Sequence, residues 1–192
     1  MGLDPADRLA LSDLVHLYAA GVDDRRFDDV VELFTDTAEF RLPSPPHQLT
    51  PARTEHGHSG VRTAMTALAA VDRTEHAIVG EVYAPGPQPG YALGRITCIA
   101  HHWSHRGAEI DDVVWHLRYD DEYLRTPAGW RIHGRALTIN ALETRQARRL
   151  RAHRAHAGPE STNPTAAVDL SESSTAPTAR RTSRPGPAPD TR

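Results

Sequence analysis

The chain has 192 residues and a formal net charge of −3, which gives no electrostatic reason to expect a nucleic-acid partner. Cys98 is the only cysteine, so an intrachain disulfide framework and a Cys-rich zinc site are both excluded. No apolar run approaches the roughly 20 residues needed to span a bilayer. Met1 to Arg8 is polar and acidic, unlike a signal peptide, so a cytoplasmic protein is the expectation.

In chain order, Leu11, Leu14, Val15, Tyr18 and Val22 fall at three- and four-residue steps and predict an amphipathic helix from Pro5 to Gly21, with Asp4 suited to its start. A break near Val22-Asp23-Asp24 follows, and Phe27, Val30, Val31 and Phe34 mark a shorter second helix. Ala38 to Leu42 reads as a brief strand running into a loop from Pro43 to Gly60, rich in proline and histidine. Val61 to Ala70 is the third helix.

The period then changes. His76 to Tyr83, Tyr91 to Ser104, Asp112 to Arg125 and Gly129 to Leu137 are β-rich runs. Turn signals at Pro85-Gly86-Pro87, Arg106-Gly107 and Pro127-Ala128-Gly129 separate them. Three helices followed by a meander of long strands imply an α+β fold, its mainly antiparallel sheet covered on one face by helices.

Side chains two apart on a strand share a face. Trp115, Leu117 and Tyr119 therefore point together toward the core or pocket, opposite His116, Arg118 and Asp120. Ile96, Cys98, Ala100 and His102 share another such face, which turns His102 inward and His101 outward. Residues 1–154 form the expected domain. From Ala155 onward the chain is Pro, Ser, Thr, Ala and Arg with almost no large apolar residues, the composition of a disordered tail. Arg145, Arg148, Arg149, Arg151 and Arg154 precede that tail; without interleaved aromatics they read as the solvated face of a terminal helix.

The order of these segments resembles SnoaL-like domains of the nuclear-transport-factor-two-like superfamily. The resemblance rests on residues 7–14, Tyr18, Val22-Asp23, residues 36–40, Thr74-Glu75-His76, residues 119–123 and Gly129-Trp130-Arg131-Ile132. It implies a cone-shaped α+β barrel, three N-terminal helices packed on a curved sheet. The chain is similar to hexachlorocyclohexane dehydrochlorinases, whose catalytic Asp and His fall on Asp23 and His76. It is also similar to scytalone dehydratases, whose further His falls on His102. The tyrosines and polar pocket residues of the dehydratases fall instead on Val22, Leu42, Leu117 and Tyr119, so the same substrate is not expected.

What the resemblance implies is acid–base chemistry without a cofactor. Asp23 orients and charges-balances a general base, His76; His102 hydrogen-bonds a substrate oxygen or protonates a leaving group. Tyr18, Trp115, Leu117 and Tyr119 shape the walls around a small aromatic or polycyclic molecule. Plainer readings stand beside these. Asp23 is equally suited to cap the second helix, Asp24 is a rival for either role, and Tyr119 and Trp115 suit core packing. His56-Gly57-His58 and His101-His102 lack the third ligand of a metal site, so no metal is expected. A homo-oligomer, dimer or trimer, is the expected assembly, with neither nucleic acid nor membrane as partner.

Overall fold

The computed structural model describes residues 2–151. The Pro/Ser/Thr-rich segment from Ala155 lies outside the described residues. Helix α1 (Pro5–Asp23) is followed by the short helix α2 (Phe27–Val31), the hairpin β1 (Phe34–Ser44) and β2 (Gln48–His56), and helix α3 (Gly57–Ala67) with a 3₁₀ turn at Leu68–Ala70. Four long strands complete the domain: β3 (Arg73–Pro85), β4 (Tyr91–Arg106), β5 (Glu109–Thr126) and β6 (Gly129–Ala147).

Local chemistry sets the start of α1. The Asp4 carboxylate accepts the Asp7 backbone N–H at 2.8 Å, satisfying one orphan donor of the first turn, and Pro5 occupies the position that needs no N–H. The apolar stripe Leu11, Leu14, Val15, Tyr18 and Val22 is buried along its length and packs along β3. Helix α3 buries Val61, Ala64 and Met65 against β1.

The six strands form one sheet in the order β2-β1-β6-β5-β4-β3, antiparallel throughout except that β1 and β6 run parallel. The sheet is open, with β2 and β3 at its edges, so the cone is not a closed barrel. The expected turns lie where the hairpins close: Gly107, at φ 67°, opens the two-residue connection between Arg106 and Glu109. No helix among the described residues is long and apolar enough to cross a membrane.

Three local expectations need correction. Phe34 does not end the second helix; it begins β1 and pairs with Ile132 of β6. The segment expected as a loop from Pro43 to Gly60 contains strand β2 and the first turn of α3, with Phe40, Arg41 and Leu42 paired to Glu55, Thr54 and Arg53. Pro51, the one proline within β2, fits because β2 is an edge strand, where a missing N–H breaks no ladder, and Pro45 and Pro46 lie in the turn before it. Finally, Arg145 lies on β6, where a terminal helix was expected, because pairing to β5 carries the strand as far as Ala147, opposite Ile110.

Candidate active site

The helices and the inner face of the sheet enclose a cavity of about 160 Å³. Tyr18 reaches it from α1, His76 from β3, His102 from β4, and Trp115, Leu117 and Tyr119 from successive inward positions of β5. The inward alternation read along β4 holds: Ile96, Cys98 and Ala100 are fully buried and His102 nearly so. Asp23, the last residue of α1, stands behind His76.

Asp23 grips His76 twice. Its Oδ2 accepts the His76 backbone N–H at 2.8 Å, and its Oδ1 pairs with the ring Nδ1 at 2.7 Å. Burial alone would raise the Asp23 pKa, but the hydrogen bonds and charge of His76 outweigh it and hold the carboxyl below its usual value. An ionised carboxylate only accepts, so Nδ1 carries the proton and Nε2 is the nitrogen left to a ligand. The alternative role for Asp23 falls away, since α2 is capped at Arg26 without any side-chain hydrogen bond. Asp24 is half exposed and lies 3.7 Å from Arg26, away from His76 as a partner.

His102 is held differently. Its Nδ1 lies 3.1 Å from the carbonyl oxygen of Val113, which can only accept, so here too Nδ1 carries the proton. Burial, reinforced by the neighbouring His76, pushes its pKa down to about 4. His102 therefore offers a bare Nε2 near neutral pH. A neutral histidine protonated on its protein-facing nitrogen can accept a hydrogen bond from a ligand through Nε2. The ring stacks at 4.4 Å, tilted, on Trp115 and meets His76 edge-on at 6.1 Å.

A buried charge pair under the cavity was not singled out by sequence reading. Arg135 of β6 is fully buried and binds Asp121 of β5 through Nε at 2.8 Å and Nη2 at 2.7 Å. Its guanidinium lies against the rings of both Tyr18 and Tyr119, 4.2 and 4.3 Å from their centroids. Tyr123 donates its hydroxyl to Asp121 at 2.7 Å. The signal was present in the alternation: Asp121 shares the inward face with Tyr119 and Tyr123, and it is the cross-strand partner of Arg135. Burial pushes the Tyr18 phenol up to about 12 and the Tyr119 phenol well above its usual value, so both remain protonated.

The pair His101-His102 divides as the strand period requires. His101 turns to the opposite sheet face, where its Nδ1 meets Asp112 at 2.8 Å. His58 sits in the first turn of α3 with Nε2 3.0 Å from the Phe34 carbonyl oxygen.

The family model for the SnoaL-like domain matches residues 5–136. No curated protein matches the chain by sequence. Among solved structures, a proposed aromatic ring hydroxylase from Novosphingobium aromaticivorans superposes with a TM-score of 0.64 at 24% identity, covering 76% of this chain and 96% of that one. A proposed scytalone dehydratase from the same organism gives 0.60 at 15% identity, with 77% and 91% covered. A type 2 hexachlorocyclohexane dehydrochlorinase, LinA, gives 0.61 at 18% identity, with 80% and 95% covered. At these identities the superpositions speak to the fold alone, whereas the family model spans most of the chain. The chain belongs to the SnoaL-like domain family.

Proposed function

We propose that this protein is a cofactor-independent acid–base lyase or isomerase, of dehydratase or cyclase type, acting on a small aromatic or polycyclic molecule. The observation that carries the reading is the double hold of Asp23 on His76, at 2.8 and 2.7 Å, at the wall of an apolar cavity. A carboxylate so placed selects the ring tautomer and stabilises the imidazolium that forms when Nε2 takes a proton. The substrate supplies an acidic C–H, as beside a carbonyl. Loss of that proton is followed by departure of a β-substituent or by reprotonation at another carbon, with His76 returning the proton. His102 accepts a hydrogen bond from a substrate hydroxyl and so orients it. Tyr18, Leu117, Tyr119 and Trp115 form the walls. The solved relatives of the same fold include proteins named as a dehydratase and a dehydrochlorinase, which supports this reaction class.

The open cavity supports this reading over a subunit-assembly role, for which a filled space is expected. The outer sheet face carries the exposed side chains Val82 and Leu93, which suits a homo-oligomer formed through that face; light scattering on the purified protein measures its size. We place the protein in the cytoplasm.

The test is proton exchange on a one-ring ketone. Incubation with acetophenone in D₂O should speed deuterium entry at its methyl group, read by NMR, and His76→Ala should remove the acceleration. No acceleration by the native protein with acetophenone, or with a wider panel of small ketones, overturns the proposal.

A further inference from the structure

The dyad cavity is small for a polycyclic molecule. An apolar protein cavity of about 150 Å³ accepts benzene, so about 160 Å³ holds little more than one ring. A second cavity of about 450 Å³ adjoins it at the hairpin end of β4 and β5. Ala67, Leu68, His102 and Trp115 line both, so these four side chains are the partition between them. The far end of the second cavity is polar, with Ser104, His105, Arg106 and Asp111.

The partition holds an unused donor. The indole Nε1–H of Trp115 is buried and has no hydrogen-bond partner among the described residues. Indole nitrogen can only donate, and a buried donor without an acceptor is rare in native proteins. Beside it, His102 is locked with its Nδ1 on Val113, leaving an acceptor nitrogen. Trp115 and His102, which line both cavities, thus carry one unpartnered buried donor and one acceptor.

We propose that the two cavities form one two-chamber site for a ligand with two ring-sized parts joined through a hydrogen-bond acceptor such as a carbonyl, which Trp115 anchors. One ring enters the dyad chamber, and the second part, bearing polar groups at its far end, occupies the chamber bounded by Val113 and Val71. This rests on the reading of the dyad cavity as the substrate site and extends it to the shape of the substrate.

Three probes test the inference by binding, without any need for turnover: benzophenone has two rings and a central carbonyl, diphenylmethane has the rings alone, and phenol has one ring. Titrations are followed in the ¹H–¹⁵N spectrum, where the three tryptophan indole signals are resolved by type and Trp115 is assigned by its loss in Trp115→Phe. Benzophenone should move the Trp115 signal downfield and bind roughly 3- to 10-fold tighter than diphenylmethane, the range of one net hydrogen bond. In Trp115→Phe the two should bind equally. Val113→Phe, filling the second chamber, should weaken both two-ring probes while leaving phenol unchanged; Ser104→Phe serves the same end if that variant does not fold. Equal binding of benzophenone and diphenylmethane to the native protein, a Trp115 signal that does not move, equal weakening of phenol by the chamber-filling variant, or no binding by either two-ring probe overturns the proposal. Because benzophenone has no α-proton, these titrations stand or fall separately from the acetophenone exchange.

Discussion

His76 and His102 face each other edge-on with ring centroids 6.1 Å apart, yet one is backed by a carboxylate and the other by a peptide carbonyl. Both rings carry their proton on Nδ1 and keep Nε2 for the cavity. Only His76 has a carboxylate bonded to its Nδ1 to stabilise a gained proton. The asymmetry supports the roles proposed above, base for His76 and neutral acceptor for His102.

Asp23→Asn should be more damaging than its size suggests. The amide has one oxygen to share between the His76 backbone N–H and Nδ1–H, both now served by separate carboxylate oxygens. If the oxygen keeps the backbone, the amide nitrogen faces Nδ1 and drives the ring proton to Nε2, leaving no base. Proton exchange should fall by roughly 10²- to 10⁴-fold with the fold intact, measured by exchange rate and circular dichroism together.

Acid should destabilise the protein through His102. Its folded pKa, about 4, lies below the ordinary value of 6.5, so the unfolded chain binds the proton first. The stabilisation is therefore complete above pH 6.5 and is lost as pH falls from there through about 4, with a total of order 3 kcal/mol. Asp23, whose folded pKa is also lowered, adds a loss in the same direction below its ordinary value of 3.8. Urea unfolding at pH 7 and pH 5 should show the His102 contribution, and His102→Phe should flatten the slope between them.

The pair beneath the cavity should be unforgiving of single changes. Asp121→Leu leaves the fully buried Arg135 guanidinium without its counter-charge, and the expected cost is about 3–5 kcal/mol. Arg135→Met strands the carboxylate in the same way and should cost about as much. The double variant should recover part of that loss. Denaturant midpoints of the three variants check this; a single variant as stable as the native protein would refute the account.

Gly94 marks a close approach on β4. A Cβ there would lie 2.8 Å from Tyr123 Cε2 and 3.3 Å from Tyr83 Cε1. Tyr123 is fully buried with its hydroxyl bound to Asp121, so its ring has little freedom to retreat. Gly94→Ala should cost about 1–3 kcal/mol by overpacking. The midpoint of thermal unfolding measures it.

What was legible in the sequence was what repeats locally. The 3.6-residue period from Leu11 to Val22 marked the buried stripe of α1, and the two-residue period on β4 and β5 turned His102, Trp115, Leu117 and Tyr119 inward before any pairing was known. Edge strand β2 left no such signal: it lies in a stretch, Pro43 to Gly60, whose prolines and histidines read as loop, and it becomes a strand because β1 supplies hydrogen-bond partners. The length of β6 beyond Leu137 likewise comes from β5 opposite it.

The site divides along the same line. Residue type and resemblance nominated Asp23, His76 and His102, because short segments carry those motifs. Which nitrogen each ring presents depends on Asp23 and Val113, 53 and 11 residues away along the chain. Arg135 gained its place under Tyr18 and Tyr119 the same way, through cross-strand register with Asp121. Local sequence sets period and side-chain chemistry; hydrogen-bond partners, tautomers and the loss of solvent are properties of contacts between distant segments, and only the packed sheet and helices decide them.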